Sequence, residues 1–243
     1  CIAENASYQF ALLGRTALEV EPSWAQGCDS ESELKVAITA FLRDQDIKPT
    51  PKLIQAKLRS IVRNRDIQQT LKAIHNAGAT AEYIAVDVTD YDALQQSLKP
   101  YQHKICGLIH GAGAITDKRI EDKTPADFQA VFGPKIIGLF NIFKCIAADR
   151  LQLLVLFSSA TAAFGNVGQS DYGMANEILN KLAYDWRRQY PSCNTIAVDW
   201  GPWEGGMVNA DVKQRFVERG IRIIAVDEGT QLLRDTFMNL PDS

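Results

Sequence analysis

No run of about 18 apolar residues occurs in the sequence, so no helix is expected to span a membrane. No CxxC pair occurs either. The five cysteines, Cys1, Cys28, Cys106, Cys145 and Cys193, are odd in number and widely spaced, which argues against a disulfide framework or a zinc site. No metal site is expected. Free thiols of this kind fit a reducing, cytoplasmic compartment. The opening CIAENASYQF has neither a basic segment nor a long apolar stretch, so it does not read as a signal peptide. No block of Lys and Arg forms a basic stripe, and the net charge is −3, so no nucleic-acid footprint is present. No internal repeat or low-complexity tract appears.

What is present is an ordinary globular composition, 46% hydrophobic and 23% charged over 243 residues. A chain of this length buries roughly 70–75% of its unfolded surface and needs no covalent staples. It reads as one domain over residues 1–243. SYQFALLGR is a strand ending in Gly-Arg. From Tyr83 onward strands and helices alternate: EYIAVDV, YDALQQSLKPY, ICGLIHGAG, the helical PADFQAVFGPKIIGLFNIFKCIAADR, LQLLVLFSS, SDYGMANEILNKLAYDWRRQY and CNTIAVDWGPW. That alternation implies an α/β fold, a doubly wound parallel sheet whose Val/Ile/Leu-rich strands are covered on both faces. Residues 17–55 break the rhythm and read as an insertion containing the helical SESELKVAITAFLRDQ. KLIQAKLRSIVRNRDIQQTLKAIHNAG then reads as a long amphipathic helix closed by Gly78.

Ligands of a doubly wound sheet bind beyond the carboxyl ends of its strands. Polar or glycine residues stand at each such end: Gly14-Arg15, Asp87, His110 with Gly111 and Gly113, Ser158-Ser159, and Trp200-Gly201-Pro202. Tyr172 follows Ser159 by thirteen residues, Asn176 follows Tyr172 by four, and Lys135 precedes Ser159 by twenty-four. Together these side chains can move a proton to a carbonyl oxygen while a nicotinamide delivers a hydride. Tyr172 is the expected general acid. Its free phenol has a pKa of about 10, and a nearby Lys135 cation lowers it towards the working range. Ser159 is expected to hydrogen-bond the carbonyl. Asn176, one turn along the same helix face, is placed to hold a water leading towards the lysine. Taken singly, each has a plainer reading: a strand-end serine caps a turn, a lone lysine is solvated, and YxxxN is common on helices. His110 reads as packing beside the glycine turn.

The pieces ALLGR, DVTD, IHGAGAITDKRIEDKT, GPKIIGLFNI, LFSSATAAFGNVGQSDYGMAN and DWGPWEGGMV resemble, in order, the ketoreductase domains of polyketide and polyunsaturated fatty acid synthases. These belong to the short-chain dehydrogenase/reductase superfamily. The resemblance implies a Rossmann-like fold and NADPH-dependent reduction of a 3-oxoacyl thioester to the 3-hydroxyacyl thioester. The substrate would arrive on an acyl carrier protein, with other synthase domains in cis. It carries the catalytic roles onto Ser159, Tyr172, Lys135 and Asn176. It also places Arg15 at the cofactor's 2′-phosphate, where a cation suits NADPH. Asp87 and Val88 come to the adenine side, and Gly111, Ala112 and Gly113 to the turn approaching the cofactor. Lys135, Tyr172, Gly201 and Pro202 would also contact it.

By the same resemblance, Trp203 and Met207 fall in the lid over the substrate. Asp117 alone is kept from the stereochemical marker at Ile115-Thr116-Asp117, and Phe164 stands where the opposite class has tryptophan. Both lean to the B-type, D-configured alcohol. The family's first strand and glycine-rich phosphate loop have no counterpart before Ser7, so the chain reads as truncated at its N-terminus, with weakened cofactor binding expected. Two other readings stay open: a free-standing short-chain dehydrogenase, and a non-catalytic bracing half of a ketoreductase.

Overall fold

The computed structural model describes residues 8–204, 210–218 and 220–238. The chain divides into two compact units between Val86 and Asp87.

In the first unit, strands β1 (Gln9–Gly14) and β2 (Thr80–Ala85) pair in parallel, from Gln9 opposite Thr80 to Gly14 opposite Ala85. Parallel neighbours need a long crossover, here supplied by helices α1 (Glu31–Asp44) and α2 (Pro51–Asn76). Helix α1 starts in a capping box: Ser30 Oγ accepts from the Glu33 N–H, while Glu33 accepts from the Ser30 N–H. Leu34, Ile38 and Leu42, four residues apart, form its buried stripe and cluster with Ala25, Leu58 and Ile61. Each of these leucine and isoleucine side chains contributes about 1.5–3 kcal/mol by leaving water. Trp24 stacks on Phe41 at its edge. Arg65 ties the connection down, pairing with Glu21 and donating to the carbonyls of Ala25 and Cys28. Helix α2 is the expected long helix. Thr50 caps it, Pro51 occupies its first turn, and Gly78 (φ +85°) turns the chain out, a conformation that favours glycine.

In the second unit, β3 (Gly107–His110), β4 (Leu153–Ser159) and β5 (Asn194–Trp200) form a parallel sheet in that order. Its helices are α3 (Tyr91–Leu98), α4 (Pro125–Phe132), α5 (Gly138–Cys145), the single turn α6 (Thr161–Phe164), α7 (Ser170–Gln189), α8 (Ala210–Glu218) and α9 (Val226–Met238). The central strand β4 is buried on both faces through Leu154, Val155 and Leu156, as its continuous apolar run implies. Helix α7 packs across β4 and β5 through Ala175, Leu179 and Ala183, and α3 packs on α5.

Two details differ from the periodicity. The strand around Tyr83 ends at Ala85, because its partner strand ends at Gly14; the last ladder bond runs from the Val86 N–H to the Gly14 carbonyl. The helical stretch after Pro125 is also broken. Pro134 has no N–H to donate, and residues Gly133–Ile137 form a π-helical turn between α4 and α5. Cys28, Cys106, Cys145 and Cys193 are free thiols. Among the described residues no helix is long and apolar enough to cross a membrane.

Candidate active site

Ser159 is the last residue of β4, opposite Trp200 on β5, so the sheet register carries it to the strand's carboxyl end. Its Oγ accepts the Thr161 N–H and donates to Thr161 Oγ1, both at 3.2 Å, which fixes the hydroxyl in a local turn. Tyr172 lies in the first turn of α7 and Asn176 one turn later, fully buried. Asn176 Nδ2 donates to the Tyr172 carbonyl at 2.8 Å, its own carbonyl accepts from Ser158 Oγ at 3.1 Å, and its Oδ1 has no hydrogen-bond partner among the described residues.

Lys135 comes from the π-helical turn. Turns of this kind re-aim side chains and recur at functional sites. The residue is 3% exposed, and Nζ donates to the Phe157 carbonyl of β4 at 2.8 Å. Nζ also lies 5.4 Å from the centre of the Tyr172 ring. Burial lowers the lysine's pKa to about 8. Contrary to the lowering expected from Lys135, burial raises the Tyr172 phenol. Hydrogen bonding from Asn176 and Ser159 opposes that, and the Asp117 charge adds to the rise. The structure therefore brings Ser159, Tyr172, Lys135 and Asn176 together, from a strand end, a π-turn and a helix start.

The glycine turn after β3 lies against the lysine. A Cβ on Gly113 would stand 3.1 Å from Lys135 Cε, so a side chain there would push on the ammonium arm. His110 Nε2 lies 2.8 Å from the Lys135 carbonyl, which can only accept, so this nitrogen carries the proton. Burial drops the His110 pKa to about 4, leaving a neutral ring.

The sequence matches the KR domain family over residues 51–205. The chain belongs to the ketoreductase (KR) domain family. This KR domain is 34% identical over 231 residues to a polyunsaturated fatty acid synthase of Thraustochytrium sp., covering 91% of this chain and 8% of that protein. It is 32% identical over 181 residues to the polyketide synthase PksN of Bacillus subtilis, covering 70% of this chain and 3% of that protein. The chain thus spans less than a tenth of either relative. Among solved structures, the ketoreductase domain from the bacillaene assembly line superposes with a TM-score of 0.66 at 27% identity. That match covers 96% of this chain and 48% of the other. The Rossmann-like α/β fold of the short-chain dehydrogenase/reductase superfamily follows from these matches.

The remaining expected positions of the KR domain fall as follows. Asp87 lies past the end of β2. Its Oδ1 accepts from the N–H and the hydroxyl of Thr89, while Asp90 caps α3. The Val88 carbonyl accepts from Asn141 Nδ2 at 3.1 Å. Gly111 packs beside the Phe157 ring, and Ala112 stands between the two turn glycines. Gly201 and Pro202 follow β5, and the Pro202 carbonyl accepts from the Ile224 N–H. Trp203 packs edge-on against Trp200, with Gly229 beneath its ring. Met207 lies outside the described residues. Asp117 Oδ1 accepts from Gln169 Nε2 at 3.0 Å, and Phe164 is 88% exposed on α6. In the first unit, Arg15 follows β1 and is exposed.

Three further positions are not recognisable as part of the site from sequence. Asn141, a buried amide in the apolar GLFNIF, holds the segment at residues 88–89. Its polarity within an apolar helix face is the available signal. Lys123 and Asp171 form a buried ion pair beside Tyr172. Only the adjacency of Asp171 to the tyrosine hints at it.

Proposed function

We propose that this KR domain reduces a 3-oxoacyl thioester, carried by an acyl carrier protein, to the 3-hydroxyacyl thioester with NADPH, within a multidomain lipid or polyketide synthase. The observation that carries the reading is the Lys135 ammonium over the Tyr172 ring, with Ser159 at the adjoining strand end. A bound NADPH supplies hydride to the carbonyl carbon. The residues suit such a cofactor: a glycine turn stands against Lys135, and the lysine has no carboxylate partner among the described residues.

In this reading Ser159 donates to the substrate carbonyl and fixes its oxygen. Tyr172 gives its phenolic proton to that oxygen as the alkoxide develops. Lys135 favours the tyrosinate left behind by its positive charge. Asn176 Oδ1, free to accept, orients a donor on the path that returns the proton. Arg15 is proposed for the 2′-phosphate, Asp87 and Val88 for the adenine side, and Gly111, Ala112, Gly113, Gly201 and Pro202 for the cofactor's edge. Trp203 and Met207 belong to the proposed lid. Asp117 and Phe164 support a D-configured product. The insertion over residues 17–55 and residence in the cytoplasm go with the same reading.

The intact Ser159, Tyr172 and Lys135 set disfavours a non-catalytic bracing half. The synthase relatives disfavour a free-standing dehydrogenase. The test is cofactor oxidation by the full-length protein with a short 3-oxoacyl thioester. NADPH consumption at least about tenfold faster than NADH consumption is expected, as a phosphate-binding arginine requires. No oxidation of either cofactor rejects the proposal.

A further inference from the structure

Helix α7 carries the general acid in its first turn, yet Gln169 at its start makes no capping hydrogen bond. The first N–H groups of a helix have no partner within the helix, and an uncapped start frays. Here the cap comes from inside the turn. Asp171 Oδ1 accepts the Tyr172 N–H at 2.8 Å. The carboxylate also stands at the N-terminal end of the helix, where the free N–H groups point.

Asp171 is in turn held by a residue far away in sequence. Lys123 Nζ lies 2.8 Å from Asp171 Oδ2, and the side chains are 6% and 1% exposed. The contact is an ion pair rather than an aligned hydrogen bond, since Oδ2 has no hydrogen-bond donor of its own. Lys123 Nζ also donates to the Thr116 carbonyl at 2.8 Å. Two further bonds run alongside: Gln169 Nε2 to Asp117 Oδ1, and the Lys118 N–H to the Gly168 carbonyl. The segment between β3 and α4 is thus strapped to the chain that enters α7.

A pair this deeply buried gains little stability over an apolar pair of the same size, because both charges must leave water. Its distinct effect is geometric. It joins the β3–α4 connection to the residue immediately before Tyr172. We infer that Lys123 is a positioning residue: acting through Asp171, it fixes the first turn of α7 and so the place of the Tyr172 phenol. The inference deepens the proposed function and rests on Tyr172 as general acid. Lys123 itself touches no reacting atom in this account.

The experiment compares Lys123→Met with the double variant Lys123→Met/Asp171→Asn in the full-length protein. The single variant leaves a buried carboxylate unpaired and is expected to lose folding stability. The double variant removes that charge but keeps an acceptor for the Tyr172 N–H, so its melting temperature is expected to return towards wild type. Its kcat for ketone reduction is expected to stay about 10²-fold low, the scale for a misplacement of about 1 Å, with KM for the cofactor unchanged. A kcat that recovers together with stability would overturn the inference, because the pair would then serve folding alone. Hydrogen exchange gives a readout independent of turnover. Amides at residues 170–174 are expected to exchange faster in the double variant, while the rest of α7 keeps its protection. Unchanged exchange there would also overturn the inference. If the wild-type protein reduces no ketone, the functional reading fails by itself and exchange alone decides this one.

Discussion

Lys135 and Tyr172 meet as cation over ring, Nζ standing 5.4 Å from the centre of the phenol, although thirty-seven positions separate them in sequence. The lysine leaves the helix at a π-turn caused by Gly133-Pro134, and the tyrosine sits in the opening turn of α7. Burial then acts on both in opposite senses. It weakens the lysine's hold on its proton, to a pKa of about 8, and strengthens the phenol's.

That difference predicts the pH dependence of turnover. In the proposed mechanism, reduction needs the lysine charged and the phenol protonated. Tyr172 keeps its proton well above neutrality, so the first group lost as pH rises is the Lys135 ammonium. The kcat is expected to be flat up to about pH 8 and then to fall about tenfold per unit. In Lys135→Arg the guanidinium does not titrate in this range. The falling limb should therefore move upward, even where the absolute rate is lower. A limb that stays near pH 8 in that variant would assign it to another group.

His110 predicts a stability window of its own. Its pKa is depressed from 6.5 to about 4, so the unfolded chain binds a proton that the folded chain refuses between those values. The sign follows: stability is fully present above about pH 6.5 and is lost as pH falls towards 4. The loss from this group alone is on the order of 2–3 kcal/mol. His110→Gln keeps a donor for the Lys135 carbonyl and removes the titration. Thermal unfolding at pH 7 and pH 4.5 is expected to show a smaller drop in the variant than in wild type. Equal drops would mean that His110 is not buried as a neutral ring.

Much of the site was legible because its signals are local. The thirteen-residue step from Ser159 to Tyr172 spans one strand end, one connection and one helix start, and each announces itself in composition. Leu154, Val155 and Leu156 marked a strand buried on both faces without any partner in view. What stayed hidden depends on partners distant in sequence. The end of β2 at Ala85 is set by where β1 stops. The proton on His110 Nε2 is decided by a carbonyl twenty-five residues on, and the role proposed for Lys123 by a carboxylate in helix α7. The helical period through GPKIIGLFNI hid the π-turn, since one extra residue barely disturbs an apolar stripe.

Replacing only the Tyr172 hydroxyl asks whether this phenol delivers the proton. In the full-length protein, with a 3-oxoacyl thioester and NADPH, Tyr172→Phe is expected to lower kcat by at least about 10²-fold while leaving cofactor affinity near wild type. Turnover in that variant equal to wild type would mean that another group supplies the proton.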